Sequence, residues 1–186
     1  TFDLLYQGLK TLFQLIDPQK IDYLACGSYD LIKSNEEEIN PDLIAYLNTE
    51  SKKITKKEET FTIENKPGKK FGFNGISCAY FNSLEGSINT GKLIEQLHQK
   101  AIEAGISILF GIECQKFEST KDGVSINLSI GEMKADRLII CSNGFASQLV
   151  NEDVIPARAQ VLITKPIPTL ALNSTFHMDK GYYYFR

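Results

Sequence analysis

The stretch from Asn89 to Gly111, NTGKLIEQLHQKAIEAG followed at once by ISILFG, constrains this chain more than any other. Leu93, Ile94, Leu97, Ala101 and Ala104 recur at helical spacing, with Asn89 or Thr90 available as the cap and Gly105 at the end. An amphipathic helix that runs straight into an apolar strand is half of a crossover connection. That arrangement requires a sheet covered on both faces. ECQKFES, VSINLSI and EMKADR then alternate as strands, with Lys121-Asp122-Gly123 as a tight turn between the first two. LIICSNG, from Leu138 to Gly144, reads as a second buried strand, and it breaks abruptly into small and polar residues.

The flanks are of other kinds. Leu4, Leu5, Leu9, Leu12, Phe13 and Ile16 predict a helix closed by Pro18, and NPDLIAYLNTESKKI predicts another, capped by Asn40 with Pro41 in its first turn. KIDYLACGSYDLIKS has the pattern of two short strands around a Gly27-Ser28 hairpin. FGFNGISCAYFNSLEG is aromatic and extended, RAQVLIT predicts a strand ahead of the Pro-broken KPIP loop, and GYYYFR predicts a last strand. Lys52, Lys53, Lys56, Lys57, Lys66, Lys69 and Lys70 are interleaved with glutamates, so Ser51 to Lys70 reads as a solvated loop and edge strand rather than an anion-binding surface. The order is mixed, which gives the fold class α/β (α+β mixed).

Composition narrows the function. A net charge of −3 gives no bulk attraction for nucleic acid or an anionic membrane. No apolar run approaches the roughly 20 residues of a membrane span, and none of these residues reads as a signal peptide. Cys26, Cys78, Cys114 and Cys141 form no C-x-x-C pair; they read as buried free thiols of a reducing compartment, the cytoplasm. His98 flanks an apolar helix stripe, His177 reads as a surface residue, and no Cys/His cluster suggests a metal. GSINTGKL resembles a phosphate loop only until Leu93 stands where a hydroxyl must hold magnesium, and no G-x-G-x-x-G occurs. In GYYYFR, strand alternation sets Tyr182, Tyr184 and Arg186 on one face and Tyr183 on the other. Two phenols and a guanidinium suit a substrate carboxylate, and a half-buried strand of high β propensity accounts for them equally well. Thr1 without Met, and an ending that reads as mid-strand, give the expectation of a piece of a longer protein.

Taken in order, these pieces resemble the FAD-dependent D-amino-acid and amine oxidases, the family of glycine oxidase and sarcosine oxidase. The likeness runs through EGSINTGKLIEQLHQKAIEAGISILFGIECQKFES, KADRLIICSNGFASQLV, IPARAQVLITKPI and YYYFR, from Gly86 to Arg186, with CGSYDLIKSNEE a weaker match upstream. The helix has the family's L-x-x-x-L-x-x-x-A-x-x-x-G form, and SNGF stands where the gamma-glutamylputrescine-oxidase-like branch has Thr-Asn-Gly-Tyr. Ala159 departs from the usual Arg-Gly-Gln. The resemblance implies an internal fragment of a two-lobed FAD-dependent oxidoreductase fold, lacking the N-terminal dinucleotide motif and the C-terminal flavin segment. Residues 1–84 would be a helix and the first part of the substrate domain, 85–155 the middle of the FAD-binding domain, and 156–186 the return to an antiparallel substrate-domain sheet. That sheet would hold the Cys26 hairpin, RAQVLIT and GYYYFR, while the helix of 90–104 would pack on the Ile106–Phe110 strand.

The resemblance further implies FAD against Ser142, Asn143 and Gly144 and against the backbone of Cys114. A small amine or amino acid would lie against Tyr182, Tyr184 and Arg186. The parent would oxidise a C–N bond by hydride transfer to FAD and pass the electrons to oxygen or another acceptor, with no residue of this chain needed as acid or base. The fragment alone would be inactive and free of FAD. Two other functions are compatible with these residues: an FAD-dependent oxidase of a tRNA wobble-uridine side chain, with the lysine-rich part on RNA, and a binding module without catalysis.

Overall fold

The computed structural model describes residues 2–36, 40–151, 153–170 and 172–186. Helices form where the apolar spacing predicts them. α1 (Phe2–Leu15) precedes a 3-10 turn (Pro18–Ile21) capped by Asp17. α2 (Pro41–Thr55) is capped by Asn40, whose side chain accepts from the Asp42 N–H at 2.9 Å. α3 (Pro67–Phe71) is a single short turn of helix. α4 (Thr90–Glu103) is capped by Asn89, which accepts from the Lys92 N–H at 3.2 Å. Such a cap satisfies a donor that the helix cannot, a contribution of about 1 kcal/mol.

The strands are β1 (Ser28–Lys33), β2 (Phe61–Glu64), β3 (Ile76–Asn82), β4 (Cys114–Thr120), β5 (Gly123–Leu128), β6 (Gly131–Ala135), β7 (Thr175–Met178) and β8 (Tyr183–Phe185). They make a five-stranded sheet in the order β2-β3-β1-β7-β8 and a three-stranded one in the order β4-β5-β6. Two compact units contain them: Thr1–Ile106 with Ile167–Arg186, and Ser107–Pro166.

In the first unit, alternation sorts the five-stranded sheet into two unlike faces. Phe81, Tyr29, Phe176 and Phe185 stand in register across β3, β1, β7 and β8. With Leu31, Ala79, Phe71 and Phe73 they form an aromatic core in which Phe176 is fully buried. Each such side chain contributes about 1.5–3 kcal/mol by leaving water. The neighbouring row is Ile63, Tyr80, Asp30, His177 and Tyr184, on the opposite face. The second unit contains the β-meander expected from the alternating segments, with Lys121-Asp122-Gly123 turning between its first two strands and Ile126 buried on the middle one.

Several expectations fail for identifiable reasons. Gly27-Ser28 is no hairpin: β1 pairs antiparallel with β3 and parallel with β7, so the sheet is mixed rather than antiparallel. Gly27, at φ 67°, serves a close approach instead, since a Cβ there would meet the Phe81 ring at 2.1 Å. The runs at Ile106–Phe110, Leu138–Cys141 and 158–164 lie in no strand, with Ile139 84 % and Leu162 89 % exposed. An apolar run has strand propensity, but a strand exists only in a ladder, and none of the three runs enters one. RAQVLIT is therefore not in the sheet with GYYYFR, and α4 packs on the turn at Pro18–Ile21 rather than on Ile106–Phe110. Part of the lysine-rich stretch is helical, not loop: α2 continues to Thr55 and α3 spans Pro67–Phe71, while β2 is the expected edge strand. Lys52, Lys53 and Lys70 pair with Glu58, Glu50 and Glu64. All four thiols are free, but only Cys78 is buried, and Cys141 is exposed.

Candidate functional site

At one end of the five-stranded sheet the chain forms an open cleft of about 690 Å³. Leu24 and Ser87 exchange both backbone hydrogen bonds, at 2.9 and 3.0 Å, and the Asn89 N–H donates to Ile21 O at 2.9 Å. These bonds form one wall. Ser174 Oγ donates to Cys26 O at 2.9 Å and the Thr175 N–H to Gly27 O at 3.2 Å, which ties the start of β7 to the other side. Arg186, Asp22, Asn89 and Thr175 bring polar side chains to the lining, beside Leu24 and Leu172.

The charges in the cleft are placed differently. Arg186 Nη1 donates to Ile88 O at 3.3 Å, so the rest of its planar fork of donors is available to an anion. Asp22 sits in the left-handed region at φ 49°. Its carboxylate accepts from Lys92 Nζ at 2.7 Å and Asn89 Nδ2 at 3.2 Å, and these hydrogen bonds, Lys92 first, hold it below the usual carboxylate range.

The polar row lies along the same sheet. Asp30 is opposite Tyr80 on β3 and His177 on β7, and His177 is opposite Tyr184 on β8. His177 Nδ1 is 3.7 Å from Asp30 Oδ1, with both side chains about a third exposed or less, at 35 % and 27 %. Burial, and then the Asp30 carboxylate, push the Tyr80 phenol well above its usual range. Ser28 Oγ, at the start of β1, is buried and makes no hydrogen bond. Lys33 pairs with Asp179 at the far end of the sheet.

The residues singled out from sequence divide between the two units. Arg186 lines the cleft, and Tyr184 is on β8, across from His177. Tyr183 pairs with Met178, one residue out of phase with Tyr184, and so takes the opposite face. Tyr182 is not on the strand: it belongs to the preceding turn, its N–H donating to Asp179 O at 3.1 Å, and it is 85 % exposed. His177 is half-buried in the row, not a plain surface residue. Ser142, Asn143 and Gly144 open a 3-10 turn (Asn143–Gln148), not a strand tip, and Cys114 begins β4, paired with Leu128. Sequence reasoning missed Asp30, Tyr80 and Asp22; the one signal was a carboxylate at the centre of the apolar SYDLIK strand.

Among the described residues no cluster of His, Cys, Asp or Glu could hold a metal, and no helix is long and apolar enough to cross a membrane. Ser142 Oγ is buried without a hydrogen bond, Asn143 has φ 47°, and a Cβ on Gly144 would come within 3.2 Å of Pro156. Neutral hydroxyl and amide groups fit the uncharged parts of a dinucleotide. A pyrophosphate takes a glycine-rich turn opening a helix, and none of the described helices opens in that way; α4 starts on its Asn89 cap.

The sequence matches the model of the family described as FAD dependent oxidoreductase, DAO, over residues 1–186. No curated protein matches. Among solved structures, glycine oxidase from Geobacillus kaustophilus is similar at a TM-score of 0.63 and 19% identity, over 95% of this chain and 48% of that one. L-proline dehydrogenase from P.horikoshii gives 0.65 and 14%, over 94% and 49%. Glycine oxidase from Bacillus cereus ATCC 14579 gives 0.64 and 15%, over 98% and 50%. The chain spans about half the length of these structures, and it shares their mixed α/β fold over nearly all of its own. With the family match extending from the first residue to the last, the chain belongs to the FAD dependent oxidoreductase family.

Proposed function

We propose that this chain is the substrate-binding sheet and part of the flavin-binding region of an enzyme that oxidises a C–N bond of an amino acid or amine. The observation that carries this reading is Arg186, whose guanidinium reaches an open cleft at the end of a sheet with polar side chains along one face. A guanidinium holds a carboxylate by paired, charge-assisted hydrogen bonds, which orients an amino acid as well as binding it. Thr175 and Asn89 add neutral donors and acceptors to the lining, and Leu24 and Leu172 add apolar walls. Two of the similar folds are named as a glycine oxidase and an L-proline dehydrogenase, both acting on amino acids, which supports the substrate class.

The backbone at Ser142, Asn143 and Gly144, with that of Cys114, would hold FAD along its uncharged parts. When bound, the flavin provides the acceptor for a hydride; the protein's part is to bind the carboxylate and orient the carbon that carries nitrogen.

Anaerobic mixing of the full-length protein with glycine, proline and simple amines tests the proposal. Bleaching of the flavin absorbance, with release of the imine or its hydrolysis product, is the expected result. A flavin that dithionite bleaches but no amino acid or amine does would refute it.

A further inference from the structure

We propose that Lys92 is a specificity-determining residue of the cleft: it neutralises Asp22, the carboxylate that shares the cleft with Arg186, and so favours substrates that carry a carboxylate over amines that lack one. This rests on the reading above, in which Arg186 binds the substrate carboxylate.

Of the residues that line the cleft, Asp22 and Arg186 are the charged ones, and their signs are opposite. Left to themselves the two would cancel. An uncompensated Asp22 would repel a substrate carboxylate, attract an ammonium group and compete for the guanidinium. A third charge, from outside the lining, prevents this. Lys92 stands in the first turn of α4, and its Nζ donates to Asp22 Oδ1 at 2.7 Å. Asn89 holds both partners. Its Oδ1 accepts the Lys92 N–H at 3.2 Å as the helix cap, and its Nδ2 donates to Asp22 Oδ2 at 3.2 Å. Backbone sets the meeting point: Asp22 closes the Pro18–Ile21 turn in the left-handed region, at φ 49°, and α4 packs on that turn.

The position of Lys92 is not explained by α4 itself. A cation in the first turn lies at the positive end of the helix dipole, where carboxylates are favoured, and the first turn of α4 holds no acidic residue. The contact with Asp22 offsets that disadvantage and gives the lysine a use. In GSINTGKL, which fails as a phosphate loop, the lysine thus meets a carboxylate. Arg186 is held differently. Its Nη1 donates to a neutral carbonyl, Ile88 O, at 3.3 Å, a contact that leaves its charge uncancelled. The neighbouring Asn89 carries the other half of the arrangement, so the neutralised pair and the uncancelled guanidinium are fixed to one loop.

Steady-state kinetics of the full-length enzyme with its best amino acid test this. Lys92→Gln should raise KM by roughly three- to twentyfold, the range for one uncompensated charge near a surface site, with far less change in kcat. Raising the ionic strength should shrink the difference from wild type. As a competitive inhibitor, the amine that lacks the carboxylate should bind no more weakly to Lys92→Gln than to wild type. Adding Asp22→Asn to Lys92→Gln should return KM to within about twofold of wild type, because the two changes act through one charge pair. A loss caused by damage to α4 would persist in that double variant. A Lys92→Gln enzyme with wild-type KM, or a rise in KM that Asp22→Asn does not repair, would overturn the proposal and leave the reading of Arg186 standing. An Arg186→Ala enzyme with wild-type KM would overturn both.

Discussion

Replacing Phe176 by alanine should remove the centre of the five-stranded sheet's core. The ring is fully buried, and its centroid lies 5.0 Å from Phe71, 5.2 Å from Phe73, 5.2 Å from Phe185 and 5.6 Å from Tyr29. Those neighbours come from β1, β8 and the α3 region, so no single movement can refill the space. Truncating such a ring costs about 3–5 kcal/mol, including lost transfer energy and the residual cavity. A domain of this size has about 5–15 kcal/mol in total. With a urea dependence of about 2 kcal/mol per molar, the midpoint should fall by about 2 M. The chain has no tryptophan, so tyrosine fluorescence, which includes the core residue Tyr29, reports the transition. Leu162→Ala, at an exposed position, should stay within about 0.5 kcal/mol of wild type. A loss below about 1 kcal/mol in Phe176→Ala would show that the aromatic face is not packed as described. Phe176 also precedes His177 on β7, so loosening it should broaden the His177 ring resonances.

Other outcomes follow from single residues. Gly27→Ala should cost more than about 2 kcal/mol in thermal or urea unfolding, because φ is 67° and the added Cβ would meet the Phe81 ring at 2.1 Å. Folded Tyr80 retains its proton above the pH at which an unfolded phenol ionises, so its contribution is present below about pH 10 and is lost as pH rises further; burial also raises Tyr23, so a spectrophotometric titration should show a late tyrosine phase as the chain unfolds in alkali, and Tyr80→Phe should reduce that phase by one tyrosine. FAD titrated into the 186-residue chain should give no stoichiometric yellow complex after gel filtration, because none of the described helices opens on a glycine-rich turn.

The sequence is most legible where structure is local. α1, α2 and α4 follow from apolar spacing and from caps such as Asn40 and Asn89, which act within four residues. The meander follows from alternation and one Asp-Gly turn. What was not legible depends on residues far apart in the chain. Gly27 looks like a turn residue, yet its role is set by the Phe81 ring more than fifty positions away. The polar row joins Tyr80, Asp30, His177 and Tyr184 only through the register of four strands, and the parallel pairing of β1 with β7 has no local signal. ISILFG, LIICSNG and RAQVLIT have the composition of buried strands, and composition cannot say whether a ladder is there to receive them. The chemistry of Arg186 and its place after three tyrosines single it out, and it lines the cleft, whereas Tyr182 lies in the turn one residue before the strand whose alternation was used to place it.

Steady-state kinetics of Arg186→Ala in the full-length protein, with its best amino-acid substrate, test most directly whether this face of the sheet binds substrate. Loss of a charge-assisted hydrogen bond costs about 1.5–3 kcal/mol, so KM should rise roughly ten- to a hundredfold. The carboxylate contact is the same in the ground and transition states, so kcat should change far less. Tyr183→Phe, on the opposite face, should leave both constants nearly unaltered. An Arg186→Ala enzyme with wild-type KM, or a Tyr183→Phe enzyme as impaired as it is, would contradict the assignment of the cleft and of the polar face to the substrate.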